Sequence, residues 1–232
     1  MTIKTISSRE VYRNPWTSVR EDVIERANGV RGIYGVVDKD PASIIIPLDV
    51  TVEGEFVYLI EQFRYTVGGR HWELPQGGWE RAEVVAEEMA RGELKEETGL
   101  TAERMTLLST LQIAYGVMNQ KHHVFLAQGL TMGEATPDAE ESDLVVRRVS
   151  VGEFEGMIVD GTIVDNCTVA AWGLYRLWRE RRCGVHHGSF DRTSAPVGTT
   201  LPPVTTVCFT SGTWDVESPR IWRAPSTMRL KP

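Results

Sequence analysis

The sequence predicts an α+β protein in which a mixed β-sheet lies between helices, preceded by an antiparallel β-hairpin. Two observations lead there. The elements run in the order strands, one acidic helix, strands, a short helix and a long helix, an order that layers helices on a sheet. The strand segments are short apolar, β-branched runs bounded by Gly, Asn and acidic turns, the punctuation of strands and not of long amphipathic helices.

The elements follow in order. Tyr12 to Trp16 and Ser18 to Ile24 read as extended, Asn28-Gly29 is a strong turn signal, and Gly32 to Val37 resumes an extended run; together they predict the hairpin. Ser43 to Val50 and Phe56 to Gln62 are strands joined by the turn Glu53-Gly54-Glu55, and Gly68-Gly69-Arg70 breaks the pattern before Trp72-Glu73-Leu74. Glu83 to Glu97 is the first clear helix, with Val85, Met89 and Leu94 on one stripe and Gly99 where a left-handed C-cap belongs. Leu107 to Ala114, His123 to Gln128 and Leu144 to Val151 are further strands, with a loop from Tyr115 to Gln120. Val151-Gly152-Glu153-Phe154 opens a short helix. Asp165-Asn166 caps a last helix running to about Arg182, its predicted apolar face being Val169, Ala170, Gly173, Leu174, Leu177 and Trp178.

Composition bounds the function. A chain of 232 residues with 41% hydrophobic and 25% charged residues suits one ample globular domain with an extension. The net charge of −7 argues against the electrostatic footprint of a nucleic-acid binder. The apolar run at Ile44-Ile45-Ile46 is far too short to span a membrane. Cys167, Cys183 and Cys208 are odd in number and lack metal-ligand spacing, so they read as free thiols of a cytoplasmic protein. The expected division is 1–40 as the N-terminal hairpin region, 41–182 as the main domain and 183–232 as a flexible tail rich in Ser, Thr and Pro.

The most informative residues are Glu93, Glu96 and Glu97. At i, i+3 and i+4 they crowd three carboxylates onto one helical face, where like charges repel. A divalent cation reverses the sign of that problem, and hard oxygen ligands suit Mg²⁺ or Mn²⁺. The stretch resembles the Nudix box, Gly-x5-Glu-x7-Arg-Glu-U-x-Glu-Glu-x-Gly-U, from Gly78 through Glu93, Leu94, Glu96, Glu97 and Gly99 to Leu100. Val84 stands in place of the first Glu and Gly92 in place of the Arg. A one-residue slip restores both as Glu83 and Arg91, counted from Gly77, with Gly92 then an extra residue. Arg91 orients a box glutamate under that reading only if the helix is locally distorted.

The resemblance covers about residues 9 to 182 and implies the Nudix α/β/α sandwich. Gln62-Phe63-Arg64 and Glu73-Leu74-Pro75-Gln76-Gly77 are similar to the ADP-ribose and nucleotide-sugar pyrophosphatase branch. That likeness implies metal ligands Glu93, Glu96, Glu97 and the backbone carbonyl of Gln76, and substrate contacts at Arg64, Glu73 and Gly78. Ala is commoner at position 76, and the Gln also resembles a Pro-Gln-Gly motif of dinucleoside polyphosphate hydrolases. The resemblance further implies that the acidic loop Pro137 to Asp143, otherwise readable as a solvated loop, carries the general base, Glu140 or Glu141, that deprotonates the attacking water; with Glu97 these form the implied catalytic set. Asn119 and Gln120 stand where related loops carry an acid, and His122 and His123 read as structural. Asp165 and the helix after it are assigned packing, not chemistry.

The branch further implies a homodimer whose N-terminal strands shape the nucleotide site. Trp16 or Tyr34 would then stack on a base, although both read first as core aromatics. The implied reaction is Mg²⁺-dependent hydrolysis of ADP-ribose to AMP and ribose 5-phosphate. GDP-mannose, a dinucleoside polyphosphate or NADH are the alternative substrates, and a non-catalytic nucleotide sensor is the alternative role.

Overall fold

The computed structural model describes residues 3–78, 85–133 and 143–182. Glu83, Glu140, Glu141 and the segment 183–232, with Cys183 and Cys208, lie outside the described residues.

The N-terminal hairpin is present as β2 (Ser18–Glu25) and β3 (Arg31–Asp38), and β1 (Lys4–Arg13) adds a third antiparallel strand along β2. Position 29 has φ 79° and turns the chain between β2 and β3, which only glycine adopts without strain. The expected strand Tyr12 to Trp16 is instead a strand end and a turn. Asn14 Oδ1 accepts the N–H groups of Trp16 (3.0 Å) and Thr17 (2.7 Å), a local bond that competes with a ladder.

The main sheet comprises β4 (Ala42–Thr51), β5 (Gly54–Arg64), β6 (Gly69–Glu73), β7 (Gln76–Gly77), β8 (Leu100–Gln112), β9 (Lys121–Met132) and β10 (Val145–Ser150). Its order is β10-β5-β4-β9-β8, with β6 on β5 and β7 on β4. The β4–β9 pair is parallel and the other pairs are antiparallel, so the sheet is mixed. One edge of β4 pairs with β5 over Leu48–Thr51 and with β7 over Ser43–Ile44, while β5 continues with β6. The sheet therefore forks between β4 and β5, and Leu74–Gly78 runs into the fork.

Side chains alternate across a strand, and β4 serves two cores. Ile44, Ile46 and Leu48 pack with Phe154 of α2 (Val151–Val159) and Trp172 and Tyr175 of α3 (Asn166–Arg182). Ile45 faces the other way, with Phe125, Ala127, and Ala90 and Leu94 of α1 (Ala86–Thr98). This is an α/β/α sandwich.

Two helical faces differ from expectation. In α3 the buried residues are Thr168, Ala171, Trp172 and Tyr175, whereas Val169 and Leu177 are exposed. The helix carries apolar residues all round, and two buried positions are chosen by bonds: Thr168 holds the Leu74 N–H, and the Trp172 indole donates to Glu155. In α1, Met89 and Leu94 are buried as expected, but Val85 is exposed at the N-cap. No helix among the described residues is long and apolar enough to cross a membrane.

Candidate active site

Helix α1 ends as its sequence dictates. Gly99 takes φ 72° and returns its N–H to the Lys95 carbonyl at 2.9 Å. The face that buries Leu94 also buries its neighbours in register, so Glu93 and Glu97 are only 8% and 1% exposed while Glu96 is half-buried. Buried carboxylates need compensating donors or charge. One donor is backbone: the Gln76 N–H lies 3.0 Å from Glu97 Oε2. Glu93 abuts the next residue. A Cβ built on Gly77 would stand 2.2 Å from Glu93 Oε2 and 2.5 Å from its Cδ. The two buried carboxylates therefore flank the Gln76–Gly77 strip.

Arg91 does not join them through a distorted turn. Helix α1 is unbroken from Ala86 to Thr98, and Arg91 bonds Glu87 (2.9 Å) and the Ala102 carbonyl (2.7 Å).

The same strip borders a cavity of about 710 Å³, lined by Arg64, Glu73, Gln76, Gly77 and Gly78 among others. The three box glutamates are not among its described lining residues; Gly77, which Glu93 abuts, is. Arg64 grips Glu73 through Nη2 (2.5 Å) and Nε (3.2 Å). Burial pushes the Glu73 carboxyl above the usual carboxylate range, and the Arg64 charge opposes that shift. Gly78 is packed on the backbone of β4's approach, since a Cβ there would lie 2.9 Å from the Pro41 carbonyl oxygen.

Other lining residues come from elsewhere in the chain. Asp165, expected only to cap and pack, does cap α3, accepting the Thr168 N–H at 2.8 Å, but it also lines the cavity and accepts from Gln76 Nε2 at 3.0 Å. His122, at the start of β9, is buried, and burial drives its pKa down to about 4, so it is neutral at pH 7. Trp16 also lines the cavity, 60% exposed, and Tyr34 is exposed too, its hydroxyl donating to the Gly116 carbonyl at 2.7 Å. Neither is a core aromatic. Asn119 is engaged in bracing, accepting the Lys39 N–H and donating to Asp38, whereas Gln120 lines the cavity and donates to the Asp40 carbonyl.

The donor set suits a hard divalent cation. The Glu93 and Glu97 carboxylates are gathered at the Gln76–Gly77 strip, with Glu96 nearby on the same helix, and carboxylate oxygens are the ligands such a cation takes. Among the described residues no three His, Cys, Asp or Glu side chains are grouped so as to hold a metal ion by themselves. Mg²⁺ does not require such a group, because it keeps several waters and takes substrate phosphate oxygens.

A family model for the NUDIX domain matches residues 39–167, and one for the nucleoside diphosphate sugar hydrolase N-terminal domain matches residues 3–37. The chain belongs to the Nudix family. Among its relatives, the ADP-ribose pyrophosphatase of Mycobacterium tuberculosis (strain ATCC 25618 / H37Rv) is 30% identical over 168 residues, which is 72% of this chain and 80% of the relative. The ADP-ribose pyrophosphatase of Bacillus subtilis (strain 168) is 30% identical over 169 residues, covering 72% of this chain and 89% of the relative. A crystal structure of an ADP compounds hydrolase superposes with a TM-score of 0.67 at 24% identity, over 78% of this chain and 96% of that one, which shows a shared fold. Within the Nudix family the chain falls in the ADP-ribose and nucleotide-sugar branch, as a pyrophosphohydrolase. The Nudix box thus spans the strip and α1, and its sandwich supplies the fork that holds the cavity.

Proposed function

We propose that this chain hydrolyses the diphosphate of ADP-ribose, giving AMP and ribose 5-phosphate, with Mg²⁺ or Mn²⁺ as cofactor. One observation carries the reading: the Gln76–Gly78 strip both contacts the buried Glu93 and Glu97 and lines the cavity that holds Arg64. About 710 Å³ is within the usual range for small-molecule sites. Relatives named as ADP-ribose pyrophosphatases support the choice of substrate.

Glu93, Glu96, Glu97 and the Gln76 carbonyl would hold the cation. When bound, it neutralises diphosphate charge and acidifies the attacking water. Arg64 binds phosphate; Glu73 engages two of its N–H donors and orients the planar fork that matches phosphate geometry. Gly78 and Glu73 border the same phosphate position, and Glu140 or Glu141 removes the proton from water. Trp16, exposed and lining the cavity, offers a flat face to the base.

Residues 1–40 serve dimerisation. Every residue of β1 is exposed, including Ile6, Val11 and Tyr12. An exposed, partly apolar edge strand is a pairing surface, and we assign it to a second copy of the chain in a cytoplasmic homodimer. Residues 41–182 carry the chemistry, and 183–232 form a dispensable tail.

The test is hydrolysis of ADP-ribose with and without Mg²⁺, beside GDP-mannose, diadenosine polyphosphates and NADH, with AMP as readout. Mg²⁺-dependent AMP release from ADP-ribose well above the others is expected. Turnover confined to another compound overturns the substrate. Tight nucleotide binding without any turnover overturns the enzymatic reading in favour of a sensor.

A further inference from the structure

The side-chain amide nitrogen of Gln76 has two partners. This Nε2 lies 3.1 Å from Glu73 Oε2 and 3.0 Å from Asp165 Oδ2. Both partners are carboxylates, so the amide must turn its NH₂ toward them, and both hydrogens are used. The two acids come from distant parts of the chain, the end of β6 and the N-cap of α3. Without a donor between them they would face one another as like charges.

The bridge closes a ring. Asp165 Oδ2 also accepts from Thr168 Oγ1 at 2.7 Å, and Thr168 Oγ1 accepts the Leu74 N–H at 3.0 Å. The covalent side of that ring is Leu74-Pro75-Gln76. The Pro75 carbonyl takes the Ile45 N–H at 2.9 Å, and the Gln76 N–H reaches Glu97. Gly77, the next residue, is the surface against which Glu93 rests.

We propose that the Gln76 side chain is a positioning residue for the cation site. By bridging Glu73 and Asp165 it fixes the strip whose backbone meets Glu97 and Glu93, and it couples the phosphate-binding side of the cavity to the acidic helix. This rests on the reading of Glu93, Glu96, Glu97 and the Gln76 carbonyl as cation ligands.

Mn²⁺ titration of the full chain, followed by electron paramagnetic resonance of the free ion, tests it on wild type, Gln76→Met, Gln76→Glu, Gln76→Ala and Glu97→Gln. Circular dichroism checks that each variant is folded. Gln76→Met keeps the length and loses the donors, and is expected to weaken Mn²⁺ roughly tenfold, the scale of outer-shell losses. Gln76→Glu puts a third anion between two and is expected to bind more weakly still. A role in filling space predicts another order, with Met and Glu like wild type and Ala weakest, and that order overturns the proposal. If Gln76→Glu does not fold, Met against Ala decides. Glu97→Gln separates the two readings. Wild-type Mn²⁺ affinity in Glu97→Gln overturns the cation site itself; weak binding there with wild-type affinity in Gln76→Met overturns only the role of Gln76.

Discussion

Gly77→Ala should separate activity from stability. The Cβ it adds would lie 2.2, 2.5 and 2.8 Å from Oε2, Cδ and Oε1 of Glu93. Ordinary non-bonded contact needs roughly 3.5 Å, so the carboxylate must retreat by about 1 Å. The three atoms are the far end of a flexible side chain, and the cost to folding stays at the low end of overpacking, about 1 kcal/mol. A misplacement of that size in a reacting geometry costs on the order of 10²-fold in rate. The expected result is a kcat for ADP-ribose hydrolysis down about 100-fold, with the thermal midpoint lowered by about 2–4 °C. Gly78→Ala is the contrast, because its Cβ would meet the Pro41 carbonyl oxygen at 2.9 Å and Ala42 Cβ at 3.3 Å. Backbone does not yield as a carboxylate does, so this variant should lose stability by about 1–3 kcal/mol. Wild-type kcat in Gly77→Ala would refute the reasoning, since Glu93 would then have moved without consequence for the chemistry.

Glu97→Gln keeps an oxygen for the Gln76 N–H but removes the charge, so it should abolish turnover with an unchanged circular dichroism spectrum; near-normal turnover would remove Glu97 from the ligand set. His122 predicts an acid-labile fold. Its folded pKa, about 4, lies below the ordinary 6.5 because of burial, so the unfolded chain binds the extra proton between those values and stability falls as pH drops through that window. Between pH 7 and pH 5 the loss is about 2 kcal/mol, and Gln at this position should flatten the wild-type fall in thermal midpoint by roughly 4–8 °C. Equal slopes in both proteins would show that other groups set the acid limit. A chain ending at Val185 should keep ADP-ribose hydrolysis within about twofold, because the segment beyond has no core periodicity; insoluble protein would contradict that.

Much of the fold was legible because its causes are local. Gly99 ends α1 where a left-handed residue was expected, Asn28-Gly29 turns the hairpin, and the apolar run from Ser43 to Val50 forms β4. The faces of α3 were not legible. Val169, Ala170, Gly173 and Leu177 form as good an apolar stripe as Ala171, Trp172 and Tyr175, and the choice between them was made by the partners of Thr168 and Trp172. β1 was overlooked for a related reason: none of its residues is buried, so it carries no burial pattern.

The site divides along the same line. Glu93 and Glu97 announce themselves by spacing within one helix, but Asp165 announces only its cap, because an N-cap is a local signal and the floor of a cavity is not. What connects them is the fork in the sheet. Once β5 leaves β4 for β6, the chain must return through Leu74–Gly78 to refill the edge of β4. That return path is tied to both α1 and the N-terminus of α3: Leu74 to Thr168 and the Gln76 side chain to the cap residue Asp165 on α3, and the Gln76 N–H to Glu97 on α1. A strand two residues long would be marginal on its own. Here it is held by both helical layers of the sandwich, so residues that read in sequence as a box and a separate cap become one polar structure around a single strip of backbone.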